Sequence, residues 1–353
     1  MCVSVAGLPA SASAHGSASA DAYGWWGYDF TRPTVLATGL EAPWGLAFLP
    51  DGSALVGERN SGRVLQVRRG SAARPVAQIA GVAATGEAGL LGLAVSPNYR
   101  LDRYVYAYFT SSVDNRIVRF RLSAPWLQQP ILTGLARAAV HDGGRIAFGP
   151  DGMLYAGVGD AGQAATAQDP RSRNGKILRM RPDGGVPANN PVAGSLVYSL
   201  GHRNVQGLAW DWRGRLYATE FGQSSWDEVN RIVPGGNYGW PVVEGVAGDP
   251  RFRDPIVTWR PAESSPSGAA IVGGTLYVAA LRGTRLWVVP LDGAGGAGTP
   301  TAQLVGTYGR LRTVAVAPDG SLWVVTSNRD GRGTPAAGDD RILRFPPRLG
   351  WWW

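Results

Sequence analysis

The residues able to do chemistry in this chain sit in glycine-rich breaks next to short apolar runs. His141 lies in His141-Asp142-Gly143-Gly144, Asp160 ends Gly157-Val158-Gly159-Asp160, and Arg203-Asn204 belong to Gly201-His202-Arg203-Asn204. Arg310 and Arg312 lie in Gly309-Arg310-Leu311-Arg312. An imidazole titrates near neutrality and can take a proton from a hydroxyl group, provided a partner fixes its tautomer. Asp160 is placed to be that partner for His141. Of the other two histidines, His15 falls in the N-terminal tail and His202 reads as a support for its own loop. Guanidinium groups match carboxylates with paired hydrogen bonds, so the arginines suit an anionic ligand. A second cluster runs from Glu220 to Glu228 and continues in Asn237-Tyr238-Gly239-Trp240. Carboxylates and glycine-rich loops with bare carbonyls suit a hard cation such as Ca²⁺, although the spacing is not that of an EF-hand.

These breaks recur because the chain repeats one phrase: an apolar strand, a turn, a second strand, a polar loop and a third strand. Gly45–Phe48 leads through Pro50-Asp51-Gly52 to Ala54–Val56, and Arg145–Phe148 leads through Pro150-Asp151-Gly152 to Leu154–Ala156. Val314–Ala317 leads through Pro318-Asp319-Gly320 to Leu322–Val324. Looser copies begin at Leu91, Gly207 and Ala269. They start roughly 45 to 65 residues apart, the period of propeller blades. Pro and Gly set the turn dihedrals, and the β-branched and aromatic runs favour strands. An all-β, six-bladed β-propeller over residues 23–348 is predicted, with Thr34-Val35-Leu36 closing the ring against the last blade. A two-sheet sandwich leaves six copies of one phrase unexplained.

The first strand of each blade lines the central channel, so residues just ahead of it meet at one mouth. Glu87, His141, Arg203-Asn204, Ser267-Gly268 and Arg310 with Arg312 all hold that position in different copies. Each alone fits an ordinary polar loop. Together they describe a pocket.

Composition narrows the class. Charged residues make up 17% of the chain and apolar residues 44%, which fits a packed core and excludes a disordered chain. The net charge is +8, but there is no basic run interleaved with aromatics, no helix-turn-helix pattern and no zinc spacing, so no nucleic-acid partner is expected. Cys2 is the only cysteine, which excludes an intrachain disulfide or a cysteine metal cluster. Residues 1–22 are Ala/Ser-rich and contain Ala12-Ser13-Ala14, an A-x-A pattern. They read as a signal remnant or disordered tail and suggest a secreted, extracytoplasmic protein, although the basic and apolar parts of a signal are missing. No apolar run reaches transmembrane length. Residues 349–353, ending in three tryptophans, form a short tail.

With these motifs in this order, the chain from about Pro43 to Phe345 resembles the soluble pyrroloquinoline quinone (PQQ)-dependent sugar dehydrogenases. The motifs are Gly86–Gly92, His141–Arg145, Gly159-Asp160, Gly201–Asn204, Gly235–Pro241, Ser265–Gly268 and Gly309–Arg312. The resemblance implies oxidation of an aldose or related alcohol, with hydride transfer to the quinone and an unnamed electron acceptor. It implies His141 as general base and Asp160 as its partner. It assigns Glu87, Arg203, Asn204, Ser267, Gly268, Arg310 and Arg312 to the quinone or substrate, with Arg282, ahead of Arg285, as a further basic position. It places an activating Ca²⁺ on the carbonyls of Gly222 and Gln223, and a structural Ca²⁺ on Glu228 and the carbonyl of Tyr238. Three residues depart from the pattern. Glu87 stands where the family often has Gln, and its charge would repel an acidic cofactor unless protonated or paired with Arg. Asp142 replaces a usual Asn, and Gln223 a frequent Pro. Two other readings use the same fold: a calcium-dependent propeller hydrolase of sugar lactones, which gives the blade-six arginines no role, and a non-catalytic extracellular binding propeller.

Overall fold

In the computed structural model, which describes residues 27–348, six four-stranded antiparallel sheets form the blades of a β-propeller. The inner strands are Pro43–Phe48, Leu90–Val95, Ile146–Phe148, Val205–Trp210, Pro266–Val272 and Leu311–Val316. The sixth sheet runs in the order Leu311–Val316, Leu322–Thr326, Ile342–Phe345, Thr34–Ala37. Its outermost strand therefore comes from the start of the chain, so the ring closes as the sequence predicts. The signal-like stretch at residues 1–22 and the tail at 349–353 lie outside the described residues.

The core is six apolar layers, each between neighbouring blades. Leu55 and Val64 of blade one pack against Leu93, Val105 and Phe120 of blade two. The same arrangement recurs around the ring to Trp323 and Ile342 of blade six, which meet Val56 and Val67 of blade one. A blade has two buried faces, so its central strands read as near-continuous apolar runs rather than alternating ones. Toward the axis the inner strands crowd together. A Cβ on Gly45 would stand 2.5 Å from the Leu91 carbonyl oxygen, and one on Gly92 2.2 Å from that of Gly144.

The Pro-Asp-Gly turns form as expected. In the first, Gly52 has φ 81° and Asp51 accepts the Ser53 amide at 3.0 Å. The helices among the described residues reach only four residues, in Tyr99–Asp102 and the 3-10 turn Ala164–Ala167. None is long and apolar enough to cross a membrane.

The blade-four region departs from the plain reading of the Glu220–Glu228 cluster. Glu220 ends the second strand and Asp227-Glu228 begin the third, Asp227–Ile232, with Glu220 directly opposite Glu228. The cluster is a strand–loop–strand hairpin. Its carboxylates lie side by side because of strand register.

Candidate active site

Loops from blades two, three, four and six meet at one mouth of the channel. His141 has φ 58°, a left-handed conformation that turns its ring out of the His141–Gly144 loop. Its Nδ1 lies 2.7 Å from Asp160 Oδ1. With a carboxylate there, Nδ1 carries the proton and Nε2 is the basic nitrogen. Nε2 has no protein partner among the described residues. Asp160 is only 1% exposed and also accepts the Gly162 amide and, through Oδ2, the Trp240 indole N–H at 2.9 Å. Burial pushes its carboxyl up, but these donors and His141 outweigh that and hold it below the usual carboxylate range.

Glu87 lies on the other side of His141. Its Oε2 accepts the His141 amide at 3.0 Å, and its Oε1 pairs with Arg332 at 3.0 Å. The charge at this departure from the family pattern is therefore matched by an arginine. Asp142, the second departure, is 2% exposed; Oδ1 accepts from Asn115 and the Ala138 amide, while Oδ2 has no partner among the described residues. Burial pushes its carboxyl up to about 6, with Glu87 adding to the effect.

Arg310 and Arg312 converge on Asp330 (2.8 and 3.2 Å) and so on the same mouth, since Asp330 Oδ1 accepts the amide of Arg332, the partner of Glu87. Arg312 is the second residue of its strand, not ahead of it, and it donates to Gln206 at 2.8 Å. Ser267 and Gly268 also fall inside their strand. Ser267 donates to the same Gln206 oxygen, and a Cβ on Gly268 would stand 2.8 Å from Thr313 Cα. Both are thus used where blade five packs on its neighbours. Arg282 is exposed at the rim, among the residues that link the second and third strands of blade five.

Arg203 donates through Nη1 to the carbonyls of Phe221 and Gly222, and Asn204 Oδ1 accepts the Gly143 amide. His202 is fully buried between Ser199 and Glu220 and stacks on Tyr238, which makes it the loop support the sequence suggests. A cavity of about 10 Å³ beside Arg203, Trp240 and Tyr238 is lined by Glu220, Glu228 and Glu244, room for one ion-sized occupant. Burial, then the neighbouring Glu220, push the Glu228 carboxyl up to about 8. Gln223 lies on the exposed loop, where it and the next three residues donate their amides to Glu244.

Sequence reasoning missed Arg59, Gln206, Glu244, Asp330 and Arg332. None belongs to a motif flanking an inner strand except Gln206, whose position inside the apolar run Val205–Trp210 was a usable signal.

Both groups implied by the resemblance can be tested against these residues. Arg59, Arg310, Arg312 and Arg332 face only Asp330 and Glu87, a surplus of positive charge. The buried Arg203 Nε, Arg312 Nε and Asn204 Nδ2 are donors without acceptors among the described residues. A polycarboxylate fits that set. The three carboxylates of the small cavity suit a hard cation, although Arg203, Phe221, Trp240 and Val243 also line it and Arg203 would have to give up the Gly222 carbonyl to it. Among the described residues no three His, Cys, Asp or Glu side chains stand in a ready ligand array, so carbonyls would have to complete the shell.

The six-bladed ring and the family match make this chain a β-propeller oxidoreductase acting on sugars. The chain belongs to the glucose/sorbosone dehydrogenase family, whose model matches residues 40–343. It is similar to the PQQ-bound form of an aldose sugar dehydrogenase from Streptomyces coelicolor, with 51% identity, a TM-score of 0.86, and coverage of 89% of this chain and 97% of that one. A Thermus thermophilus structure described as a possible glucose dehydrogenase shares 46% identity at a TM-score of 0.84, covering 89% of this chain and 99% of its own. The aldose sugar dehydrogenase of Escherichia coli strain K12 is 28% identical over 89% of this chain and 92% of its own length.

Proposed function

We propose that this protein oxidises an aldose or related alcohol with bound PQQ and Ca²⁺, using His141 as general base, in an extracytoplasmic compartment. The observation that carries the reading is the His141–Asp160 dyad at the same mouth as the arginine cluster on Asp330. Arg310, Arg312 and Arg59 would hold quinone carboxylates, with Arg203 and Asn204 offering further donors. Gly222, Glu228 and Tyr238 border the cavity suited to a cation. When bound, the quinone supplies the two-electron acceptor, and a further acceptor must then reoxidise it.

The chain's own residues do the rest. Asp160 keeps the proton on Nδ1, so Nε2 takes the substrate hydroxyl proton, a step that typically contributes about 10²–10⁴-fold. Trp240 and the Gly162 amide hold Asp160, and Glu87 holds the loop through the His141 amide. A lactone hydrolase would leave the arginine surplus without a task.

The deciding experiment adds PQQ and Ca²⁺ to purified apoprotein and follows quinone reduction and dye reduction with an aldose panel. The expected result is turnover that requires both additions. His141→Ala should bind quinone normally and lose most turnover; equal turnover in both forms removes His141 as base. Lactone hydrolysis without quinone would favour the hydrolase reading, and inertness in both assays the binding one.

A further inference from the structure

Asp330 lies in the loop after the second strand of blade six and is 5% exposed. Four arginines hang from it. Its Oδ2 accepts Nε and Nη2 of Arg310 at 2.9 and 2.8 Å, and Nη2 of Arg312 at 3.2 Å. Its backbone carbonyl accepts Nη2 of Arg59 at 3.0 Å, from blade one. Its Oδ1 accepts the backbone amide of Arg332, whose side chain reaches Glu87 and, through it, the His141 loop.

We infer that Asp330 is the positioning residue of the anion-binding mouth: it gathers Arg59, Arg310 and Arg312 into one cradle and ties that cradle, through Arg332 and Glu87, to the loop of the base. The inference deepens the proposed function and rests on it for the identity of the anion.

Charge counting alone points the other way. A carboxylate inside an anion site subtracts from its attraction, and a polycarboxylate entering there meets a like charge. Geometry reverses the expectation. Without Asp330, Arg310 and Arg312 would repel each other, and Arg312, 5% exposed, would lose its carboxylate while still beside Arg145. The guanidinium groups would have to spread apart. With Asp330 in place both are held on one carboxylate oxygen before any ligand arrives, so less ordering is left for binding. Asp330 does not consume their capacity either. Arg312 spends Nη1 on Gln206 and Nη2 on Asp330, and its Nε stays unpartnered and buried. Each guanidinium carries more N–H donors than these contacts use.

The test is a titration of purified apoprotein with PQQ, read by the absorbance of the quinone and without substrate. Asp330→Asn is nearly isosteric and removes the charge. The expected result is a Kd at least tenfold weaker than wild type, with the Ca²⁺-induced shift in Tm unchanged, since the cavity beside Glu228 is built from blade four and its loops. Binding equal to or tighter than wild type would overturn the inference and make Asp330 a mere competitor. A change in both quinone and Ca²⁺ binding would overturn it too, as general structural damage. Failure of the wild-type apoprotein to bind PQQ sinks the proposed function instead, so the two failures are distinguishable.

Discussion

The Trp240 indole donates to Oδ2 of Asp160 at 2.9 Å, the oxygen that His141 leaves free. Trp240 also borders the small acidic cavity and lies under Arg203, whose guanidinium carbon is 5.3 Å from the ring centroid. One side chain thus touches both the base dyad and the cation pocket. Trp240→Phe keeps an aromatic, though smaller, ring and deletes the donor. A hydrogen bond to a charged group contributes about 1.5–3 kcal/mol, so part of that is lost in holding Asp160. Turnover should fall roughly tenfold to a hundredfold, with sugar KM and quinone affinity little changed. In an Asp160→Asn background the same substitution should cost much less, because the carboxylate it orients is gone. Full additivity of the two changes would refute the link.

Glu87 offers a contrast with Asp330. Glu87→Gln keeps an acceptor for the His141 amide and releases Arg332 from its ion pair. The mouth gains positive charge while the His141 amide keeps its acceptor and Asp330 keeps Arg310 and Arg312. Removing one like charge from near an acidic ligand is worth about 1 kcal/mol in a partly wet site, or roughly fivefold in Kd. Quinone affinity should therefore rise in Glu87→Gln and become more salt-sensitive. Glu87→Ala should instead lower turnover, since the amide loses its acceptor. Titration and steady-state rates on both variants check this; weaker quinone binding in Glu87→Gln contradicts it.

Asp142 bears on stability. Its carboxyl is pushed up to about 6, because burial penalises the charged form and Oδ2 has no partner. A carboxyl raised in the folded state binds more protons there than in the unfolded chain between about pH 4 and 6. Stability from this group is therefore present at low pH and is lost as pH rises through that window. Asp142→Asn removes the penalty. At pH 7 it should be more stable than wild type by on the order of 2 kcal/mol, a few degrees in Tm. The advantage should vanish below about pH 4. Melting curves across pH check it, and a difference independent of pH would be the wrong outcome.

The fold was legible in the sequence because every blade repeats the same local chemistry. Pro-Asp-Gly turns and β-branched runs need no long-range information, and even the closing strand at Thr34–Ala37 was marked by its apolar pattern. His141 and Arg310 were legible because they stand just ahead of inner strands, whereas Arg312 falls inside its strand and Asp160 follows a second strand. What could not be read were residues whose role depends on pairing across blades. Asp330 and Arg332 sit in a loop between the second and third strands of blade six, and only closure of the ring brings Arg59 and Glu87 to them. Glu244 was hidden for a similar reason. It follows a long loop from Tyr238, and folding that loop back puts its carboxylate over four consecutive amides.

The cavity beside Trp240 makes a prediction about metal and protons together. Burial, and then the neighbouring Glu220, hold the Glu228 carboxyl well above the usual carboxylate range, so its protonated form is favoured before a cation arrives. A cation favours the charged carboxylate, so Ca²⁺ binding should release protons near neutrality and fewer as pH rises. Affinity should correspondingly weaken as pH falls. Binding only to the folded state would raise Tm, by the equivalent of about 2.7 kcal/mol at a hundredfold excess over Kd, and chelation should reverse the gain. Calorimetry in two buffers of different ionisation heat measures the proton count directly. Glu228→Gln should remove both the proton release and most of the affinity. If Ca²⁺ binds that variant as well as wild type, the ion is held elsewhere.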